Sequence, residues 1–397
     1  MSEVVLATAS EKQVWSNKYL KEYVRTSRFA SYMGAADTSI IVVKYELQEE
    51  AGKTINIPLI TKIDGDGVGG SEVLDGNEAE LGNHNCAISV DWVRNAVRVP
   101  KSSQYKTEIN LLGAAKPMLK NWSGEDLRTD TIYALMQVCT GGTYGDTTIA
   151  YAPITKDVAN GGYEIASTFT AGSSFFRRKG VQWASASEAN KDAWVAANSD
   201  RVLFGASRSN IAGNDHSAAL QNVDTTSDRL TCAVGSLAKR MAQNASPAIY
   251  PFTLEDGREF FVMFCGPRSF RDLKADPVMV AANRDARARE GNGMSNNPLF
   301  QDGDLMYDGI IYREVPEIPH ITGAGNGSAD VEPNFLCGRQ AVGVAWGQEP
   351  TPKTDTDKDF QFRPGVAIEE LRGVKKLAYN GKQQGIVTVY TAAAADS

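Results

Sequence analysis

Histidine and cysteine, the side chains that most often build metal and redox sites, are scarce in this chain of 397 residues. The three histidines, which are too scattered to suggest a metal-binding pair, are His84, His216 and His320. The five cysteines, an odd number without a CxxC pair, are Cys86, Cys139, Cys232, Cys265 and Cys337. This usage argues against a disulfide framework and a thiolate zinc site, so we expect reduced, mostly buried thiols and no metal or cofactor.

Long hydrophobic runs and an excess of positive charge are also lacking. No window approaches 18 apolar residues, and the opening MSEVVLATASEKQVW has no basic start, so neither a membrane span nor a secretory signal is expected. The formal net charge of −7 argues against a nucleic-acid binder that depends on counterion release. Any contact with DNA should therefore be weak and non-specific.

Catalytic signatures are absent as well, because the sequence has neither GxSxG nor HExxH and its carboxylates single out no acid–base pair. What the chain does have is a stretch with three ligand-binding signals, EEAGKTINIPLITKIDGDGVGGSEVLDGNEAEL. Its GKT lacks the glycine of a phosphate loop at position 47, which is Leu47, and the following TINIPLI indicates a strand instead of a helix. The GKT is therefore interpreted as a turn between two strands.

The other two signals in this stretch are a GxGxxG and a DxD. The glycines at 65, 67 and 70 are not followed by a segment that could sustain a helix, so dinucleotide binding is not favoured. Asp64 and Asp66 would start a calcium loop, but Val68 stands at its fifth position and Asp75, a short acid, at its twelfth. We interpret the stretch as an exposed acidic tip.

The order of the predicted elements is that of an α+β protein. An arm (1–39) precedes a long two-stranded excursion (40–100), in which Pro58 favours an edge strand. Apolar spacing then predicts a helical spine over 102–139, kinked at Pro117 and restarted at Ser123. Residues 140–224 are dominated by loops and glycine-rich turns.

The second half of the chain alternates helices and strands. A helix with apolar residues at 230, 234, 237 and 241 is expected to be capped by Thr225 or Thr226. A hairpin turning at Gly257 follows, with a central second strand, and then helices that start at Pro267 and Pro277. Further strands are predicted in LMYDGIIYREV and QAVGVAW, and a hairpin in VKKLAYNGKQQGIVTVYTA.

This element order resembles that of the major capsid proteins of tailed bacteriophages, which have the Hong Kong 97-type fold. Two blocks of sequence carry the resemblance in detail. The first is VGGSEVLDGNEAEL with SVDWVRNAV, and the second is CGPRSFRDL with GDLMYDGIIYREVPEIP. It implies a shell subunit with an N-terminal arm (1–39), an extended loop (40–100), a peripheral domain (101–224, returning at 346–397) and an axial domain (225–345). Residues 140–224 fit the pattern least and are assigned as a possible insertion.

The resemblance implies that the chain's main partner is itself, in pentamers and hexamers of an icosahedral shell that encloses a phage genome. The chain would then be assembled in the bacterial cytoplasm and found in the virion, with DNA contacted only non-specifically. Separate scaffolding, portal and decoration proteins are the further partners that it allows. The segment before Trp15 is too short for a fused scaffolding segment.

Charge in the extended loop predicts where it binds. Its acids between residues 63 and 100 outnumber Arg94 and Arg98 by seven to two, and they are Asp64, Asp66, Glu72, Asp75, Glu78, Glu80 and Asp91. The expected basic receivers on an adjacent subunit are Arg177, Arg178 and Lys179, or the stripe of Arg268, Arg271, Lys274, Arg284, Arg287 and Arg289. Each cluster could equally be solvated surface charge.

The same loop lacks lysine between residues 63 and 100, so cross-linking of its tip through a lysine nucleophile is not expected. Two alternatives stay open at this point. An encapsulin-like compartment would share the fold and enclose protein cargo, and a nucleotide-binding enzyme would use the glycine-rich tip as a compact monomer.

Overall fold

The computed structural model describes residues 28–48, 52, 54–60, 68–69, 75, 83–106, 110–138, 155–156, 162–165, 183, 186–253, 257–289, 304–356, 358–379 and 381–396. The helices are α1 (Lys101–Tyr105), α2 (Leu111–Leu135), α3 (Glu188–Ala197), α4 (His216–Gln221), α5 (Cys232–Asn244), α6 (Pro267–Ala275) and α7 (Pro277–Arg289). The strands of the first half are β1 (Met33–Gly34), β2 (Ile41–Lys44), β3 (Thr54–Ile60), β4 (Asn83–Ser89), β5 (Asp91–Arg98), β6 (Thr155–Lys156), β7 (Tyr163–Ile165) and β8 (Val202–Phe204). Those of the second half are β9 (Phe252–Thr253), β10 (Glu259–Cys265), β11 (Leu305–Tyr307), β12 (Ile310–Glu314), β13 (Pro319–Ile321), β14 (Val331–Cys337), β15 (Val342–Asp355), β16 (Gly365–Lys376), β17 (Ala378–Tyr379), β18 (Lys382–Gln383) and β19 (Ile386–Ala392).

The chain forms two compact units. One contains Val93–Asp126 and Glu349–Glu370, and the other contains Ser27–Trp92, Leu127–Gln348 and Leu371–Ser397. We call them the small unit and the large unit. Helices and strands occur in both, as the α+β prediction requires.

A mixed sheet organises the large unit. Its strands follow the order β11–β12–β10–β14–β13–β7–β6, with β19 paired to β14 and β8, and β9 paired to β10. β10 lies between β12 and β14 and is buried from Phe261 to Cys265, so the prediction of a central strand there is confirmed. Its hairpin with β9 is confirmed as well.

Helix α5 packs its apolar side on this sheet, in a core shared with β10 and β19. Val234, Ala238 and Met241 are buried in that core, which confirms the predicted helical face. The predicted cap was wrong, because the side chain of Thr231 accepts the hydrogen bond from the N–H of Val234. Asp228, which precedes the helix, is a buried acceptor for the N–H of Ala206.

The two following helices begin where the sequence predicts. Pro267 is the first residue of α6, and its fixed φ suits a position whose N–H would have no helical partner. Helix α7 begins at Pro277, and the carboxylate of Asp276 accepts from the N–H of Val278. Both predicted starts are confirmed.

The predicted terminal hairpin is only partly correct. The turn at Gly381, where φ is 78°, joins the two-residue strands β17 and β18. The longer strand β19 does not return along β16, and it pairs over its whole length with β14 from Val331 to Cys337. The apolar pattern identified the strands. The pairing of β14 with β19 joins residues about 55 positions apart, so it could not be identified from the local sequence.

In the small unit, the first part of α2 lies on β16. Leu119 is buried with Val366 and Ile368, while Leu112 and Trp122 pack against them, so the predicted apolar face of the spine is confirmed. Pro117 lies inside α2 without ending it. The predicted restart at Ser123 was wrong, because α2 is one helix from Leu111 to Leu135. The hydroxyl of Ser123 does not start a new helix and donates to the carboxylate of Glu370 at 2.8 Å.

Candidate assembly surfaces

The base of the extended loop is anchored in the large unit. Strands β3 and β4 pair in antiparallel register from Thr54↔Ser89 to Ile60↔Asn83, and β3 has no second partner among the described strands, as Pro58 predicts. Ile55, Cys86, Ile88 and Val90 are buried in a cluster that also contains Ala345, Leu377 and Tyr379. The base of the excursion therefore packs against other strands of its own chain.

Polar contacts reinforce this anchoring. The ammonium of Lys375 donates to the carbonyl of Ala87 at 2.8 Å, and the hydroxyl of Tyr379 donates to the carbonyl of Ile57 at 3.4 Å. Gly373 admits the close approach of β4, since a Cβ there would lie 2.1 Å from the carbonyl oxygen of Ser89. The β3–β4 base is therefore fixed on its own chain.

Only part of the acidic tip falls within the described residues. Asp75 is exposed, as an acidic tip requires. The other acids of the tip, which lie outside the described residues, are Asp64, Asp66, Glu72, Glu78 and Glu80. On the returning strand β5, Arg94 is exposed and Arg98 pairs with Asp355 at 3.1 Å.

The two predicted basic receivers differ in what the structure shows. Arg177, Arg178 and Lys179 lie outside the described residues. Arg268 has a side-chain exposure of 2% and pairs with Asp330 at 2.9 Å, so its inclusion in a surface stripe was wrong. Its guanidinium instead holds the start of α6 to its own chain, where it also donates to the carbonyl of Ala393.

The rest of the stripe lies on α6 and α7. Arg271 is partly exposed and pairs with Asp272 and Asp396. Lys274 is exposed, with its ammonium 4.9 Å from the centroid of the Phe270 ring, and Arg284 is exposed on α7. Arg287 and Arg289 belong to α7, but their side chains lie outside the described part of the chain. The structure thus leaves Arg271, Lys274 and Arg284 at the surface.

A buried polar network fixes α6 on the sheet, and no local sequence pattern predicts it. The carboxylate of Glu332 accepts from the N–H of Ser269 at 2.6 Å. The side-chain amide of Asn334 donates to the hydroxyls of Ser269 and Thr391 at 3.2 and 2.8 Å. Burial raises the pKa of Glu332 to about 7. The network positions a helix and offers no opening to a substrate.

Apolar side chains also reach the surface. Those of the large unit are Tyr45, Ile60, Trp92, Tyr250, Val278 and Val280, and those of the small unit are Val97, Tyr105, Phe360 and Phe362. Ile60 and Tyr250 line an open cavity of about 730 Å³ beside the loop base. Aromatic residues are enriched at protein–protein interfaces, so the exposed aromatic side chains are candidate contact positions.

The described residues provide little for cofactor or metal chemistry. No group of three or more His, Cys, Asp or Glu side chains in them could hold a metal ion. Cys86, Cys232, Cys265 and Cys337 are free and buried, as predicted, whereas Cys139 lies outside the described residues. Burial raises the pKa of Cys232 to about 12, so this thiol is not a reactive nucleophile. Among the described helices, none is long and apolar enough to cross a bilayer.

The anchored base of the extended loop, the long helix and the exposed apolar residues are features expected of a shell-forming protein, and comparison with known proteins agrees. The model of the phage capsid protein family matches residues 5–395. The chain belongs to this family. It is 41% identical to a chain of the cyanophage Pam1 capsid asymmetric unit, with 100% of both chains covered and a TM-score of 0.83.

Two further relatives are more distant. The chain is 26% identical over 403 residues to the major capsid protein of Pseudomonas phage KPP25, covering 97% of this chain and 96% of the relative. It is 20% identical to a chain of the Ralstonia phage GP4 capsid, with 100% of both covered and a TM-score of 0.71, which shows the fold alone.

These findings confirm the predicted fold and function. The protein has the Hong Kong 97-type α+β fold and functions as a major capsid protein of a phage. It self-assembles into oligomeric shells and is a structural component of the virion. Nothing in the comparisons favours an encapsulin-like compartment or a nucleotide-binding enzyme.

Proposed function

We propose that this major capsid protein forms pentamers and hexamers that close into an icosahedral shell around a phage genome. The observation that carries the proposal is the 41% identity, over the full length of both chains, to a chain of a phage capsid asymmetric unit. Exposed aromatic side chains in both units supply the apolar contacts that such a shell requires. The chain has no catalytic role in this proposal.

Within the shell, the chain has the division into parts that the family resemblance implies. These parts are the arm (1–39), the extended loop (40–100), the peripheral domain (101–224 and 346–397) and the axial domain (225–345). The acidic tip of the loop docks on a basic surface of an adjacent subunit. Lys274 and Arg284 are exposed and Arg271 is partly exposed, so these three are suited to receive it. The other candidates are Arg177, Arg178, Lys179 and Arg287. Arg94, exposed on β5, is a further candidate contact of the loop itself.

Other partners follow from the same proposal. The shell is assembled in the bacterial cytoplasm, with separate scaffolding, portal and decoration proteins. Packaged DNA is contacted only non-specifically, since a subunit with a net charge of −7 has little electrostatic attraction for the phosphates of DNA.

Electron microscopy of the expressed chain tests the shell directly, because closed particles or capsomers are expected and a compact monomer at high concentration would contradict the proposal. The mature particles should dissociate into single subunits on denaturing gels, since the loop between residues 63 and 100 has no lysine to form a cross-link. A ladder of covalent multimers would show that another lysine forms one.

Charge reversal tests the docking of the loop. Reversing Asp75, Glu78 and Glu80 to Lys should weaken assembly most strongly at low salt, where exposed charges are least screened. Reversing Arg271, Lys274 and Arg284 to Glu in the same chain should restore it. Glu46→Lys, at an exposed site outside the tip, is the matched control and should assemble normally. Failure of the second reversal to rescue the first would point to a different receiver.

A further inference from the structure

A turn in the small unit presents a phenylalanine to solvent in full. Phe360 lies in the 3-10 turn Lys358–Gln361, which connects β15 to β16, and its side chain is 102% exposed. Such exposure equals that of an extended peptide, so the ring gains nothing from its own chain. An aromatic ring in this state leaves a large apolar surface in water.

The backbone of this turn is also strained. Phe360 and the next residue, Gln361, have φ values of 48° and 68°, in the left-handed region that costs free energy for residues with a Cβ. Backbone strain of this kind concentrates at functional sites. Neither residue is glycine or asparagine, the types that would relieve it.

The turn is nevertheless held in place on its C-terminal side. The N–H of Lys101 donates to the carbonyl of Phe362 at 2.9 Å, and the N–H of Val99 donates to the carbonyl of Pro364 at 3.1 Å. These bonds join the turn to the end of β5 and the start of α1. The exposed ring of Phe360 is therefore presented from an anchored backbone.

Other apolar side chains are exposed in the same part of the small unit. Phe362, within the anchored turn, is 44% exposed. Tyr105 is 94% exposed and lies one turn of α1 beyond Lys101, which binds the carbonyl of Phe362. Aromatic residues are over-represented at the anchor points of protein interfaces, because they bury much area at low entropic cost.

We infer that the Phe360 turn, residues 358–364, is an anchor that inserts into the surface of a second copy of this chain in the shell. This inference rests on the proposed shell function. A second copy is the favoured occupant because a shell places every subunit among identical neighbours, so one exposed ring per chain creates the same contact throughout. Its burial there offsets the strain of the turn.

Hydroxyl-radical footprinting of the unaltered chain is the direct test. Oxidation of Phe360 should be rapid in unassembled subunits and strongly reduced in empty shells. Equal oxidation in the two states would overturn the inference while leaving the shell function intact, and protection that appears only in DNA-filled shells would overturn it in favour of a nucleic-acid contact. A chain that forms no shells at all would instead contradict the proposed function.

Two glycine variants separate the effect of the Phe360 ring on assembly from the effect of the strained backbone. Phe360→Gly removes the ring and relieves the left-handed backbone, so the subunit should keep its melting temperature while the concentration needed for assembly rises about tenfold, the effect of one interface anchor. Gln361→Gly relieves the backbone and keeps the ring, and should assemble like the unaltered chain. Normal assembly of a folded Phe360→Gly subunit would overturn the inference. Should that variant not fold, the footprinting result decides alone.

Discussion

The carboxylate of Glu332 accepts a 2.6 Å hydrogen bond from the backbone N–H of Ser269, in the first turn of α6, at a position with no solvent exposure. The approach is so close that a Cβ at residue 266 would lie 2.1 Å from the carboxyl carbon of Glu332 and would displace this side chain. A carboxylate at a helix N-terminus is favoured by the helix dipole, but burial opposes its charge.

The pH dependence of stability follows from this burial. The pKa of Glu332 is raised to about 7, above the ordinary value of 4.5, so the folded state binds the proton more tightly than the unfolded state. The stabilisation is complete below about pH 4.5 and is lost as the pH rises through about 7. Glu332→Gln, which keeps an acceptor for Ser269, should therefore be more stable than the unaltered subunit at about pH 9, by a few kcal/mol.

Urea denaturation of unassembled subunits between about pH 5 and pH 9 measures this effect. The control is Glu259→Gln, on the exposed end of β10, which should leave the pH profile unchanged. An unchanged profile for Glu332→Gln would show that the carboxyl group titrates normally.

The strand that carries Glu332 shows what the sequence could not predict. β14 reads VEPNFLC, with an acid, a proline and an amide, and local pattern argues against a central strand there. It is nevertheless buried throughout, because Glu332 and Asn334 find partners in Ser269 and Thr391, about 60 residues away. Long-range pairing of this kind leaves no local signal.

The candidate site shows the same limit. The charges of α6 and α7 identified a basic helix pair, but Arg268 is neutralised by Asp330, 62 residues further along the chain. The base of the loop packs on Leu377 and on Tyr379, which lies 322 residues beyond Ile57 of β3. By contrast, the face of α5, the start of α6 at Pro267 and the central position of β10 were predictable, since each depends on neighbours in sequence.

Acid sensitivity should depend on His216. Its ring is buried, accepts from the indole N–H of Trp183 at 3.1 Å and lies edge-on to Phe204 and Tyr390. Burial, with a smaller effect of the Lys191 ammonium, lowers the pKa of His216 to about 3. The unfolded chain therefore takes up a proton between about pH 6.5 and pH 3 that the folded chain does not, and stability falls as the pH falls through this window.

His216→Gln should flatten the loss of stability in this acid window by a few kcal/mol, although it lowers stability at neutral pH through lost packing. The measurement is the slope of the unfolding free energy against pH. Trp183→Phe, which removes the hydrogen bond and keeps the imidazole, should retain the slope of the unaltered chain. A slope that is the same in all three proteins would show that His216 does not contribute.

Removing one partner of a buried ion pair should be costly. Arg372 and Asp130 pair at 2.8 Å, with side-chain exposures of 1% and 10%. Arg372→Met leaves the carboxylate of Asp130 buried without this cation, and should destabilise the subunit by about 3 to 5 kcal/mol. Adding Asp130→Leu should recover most of the loss, because it removes the buried carboxylate that Arg372 no longer neutralises.

The exposed pair of Arg98 and Asp355, at 3.1 Å with exposures of 53% and 40%, is the matched comparison. Arg98→Met should change the unfolding free energy by less than about 1 kcal/mol, because solvent screens an exposed pair. Equal effects of Arg372→Met and Arg98→Met in denaturant titrations would contradict the assignment of the buried pair.

The anchoring of the loop base predicts that β3 and β4 are structured before assembly. Ile88 is 1% exposed within the cluster around Leu377, whereas Ile60, at the far end of β3, is 65% exposed. Ile88→Ala should destabilise the unassembled subunit by about 2 to 5 kcal/mol, the usual cost of emptying a core site. Ile60→Ala should leave its stability almost unchanged.

Hydrogen exchange on unassembled subunits provides the second measurement. Amides of the β3–β4 ladder near Ile57 and Cys86 should exchange as slowly as other buried strands, since their hydrogen bonds open only when the cluster opens. Fast exchange there, with slow exchange in β10 and β14, would mean that the base forms only against a neighbouring subunit. Slow exchange would show that the base is formed before assembly.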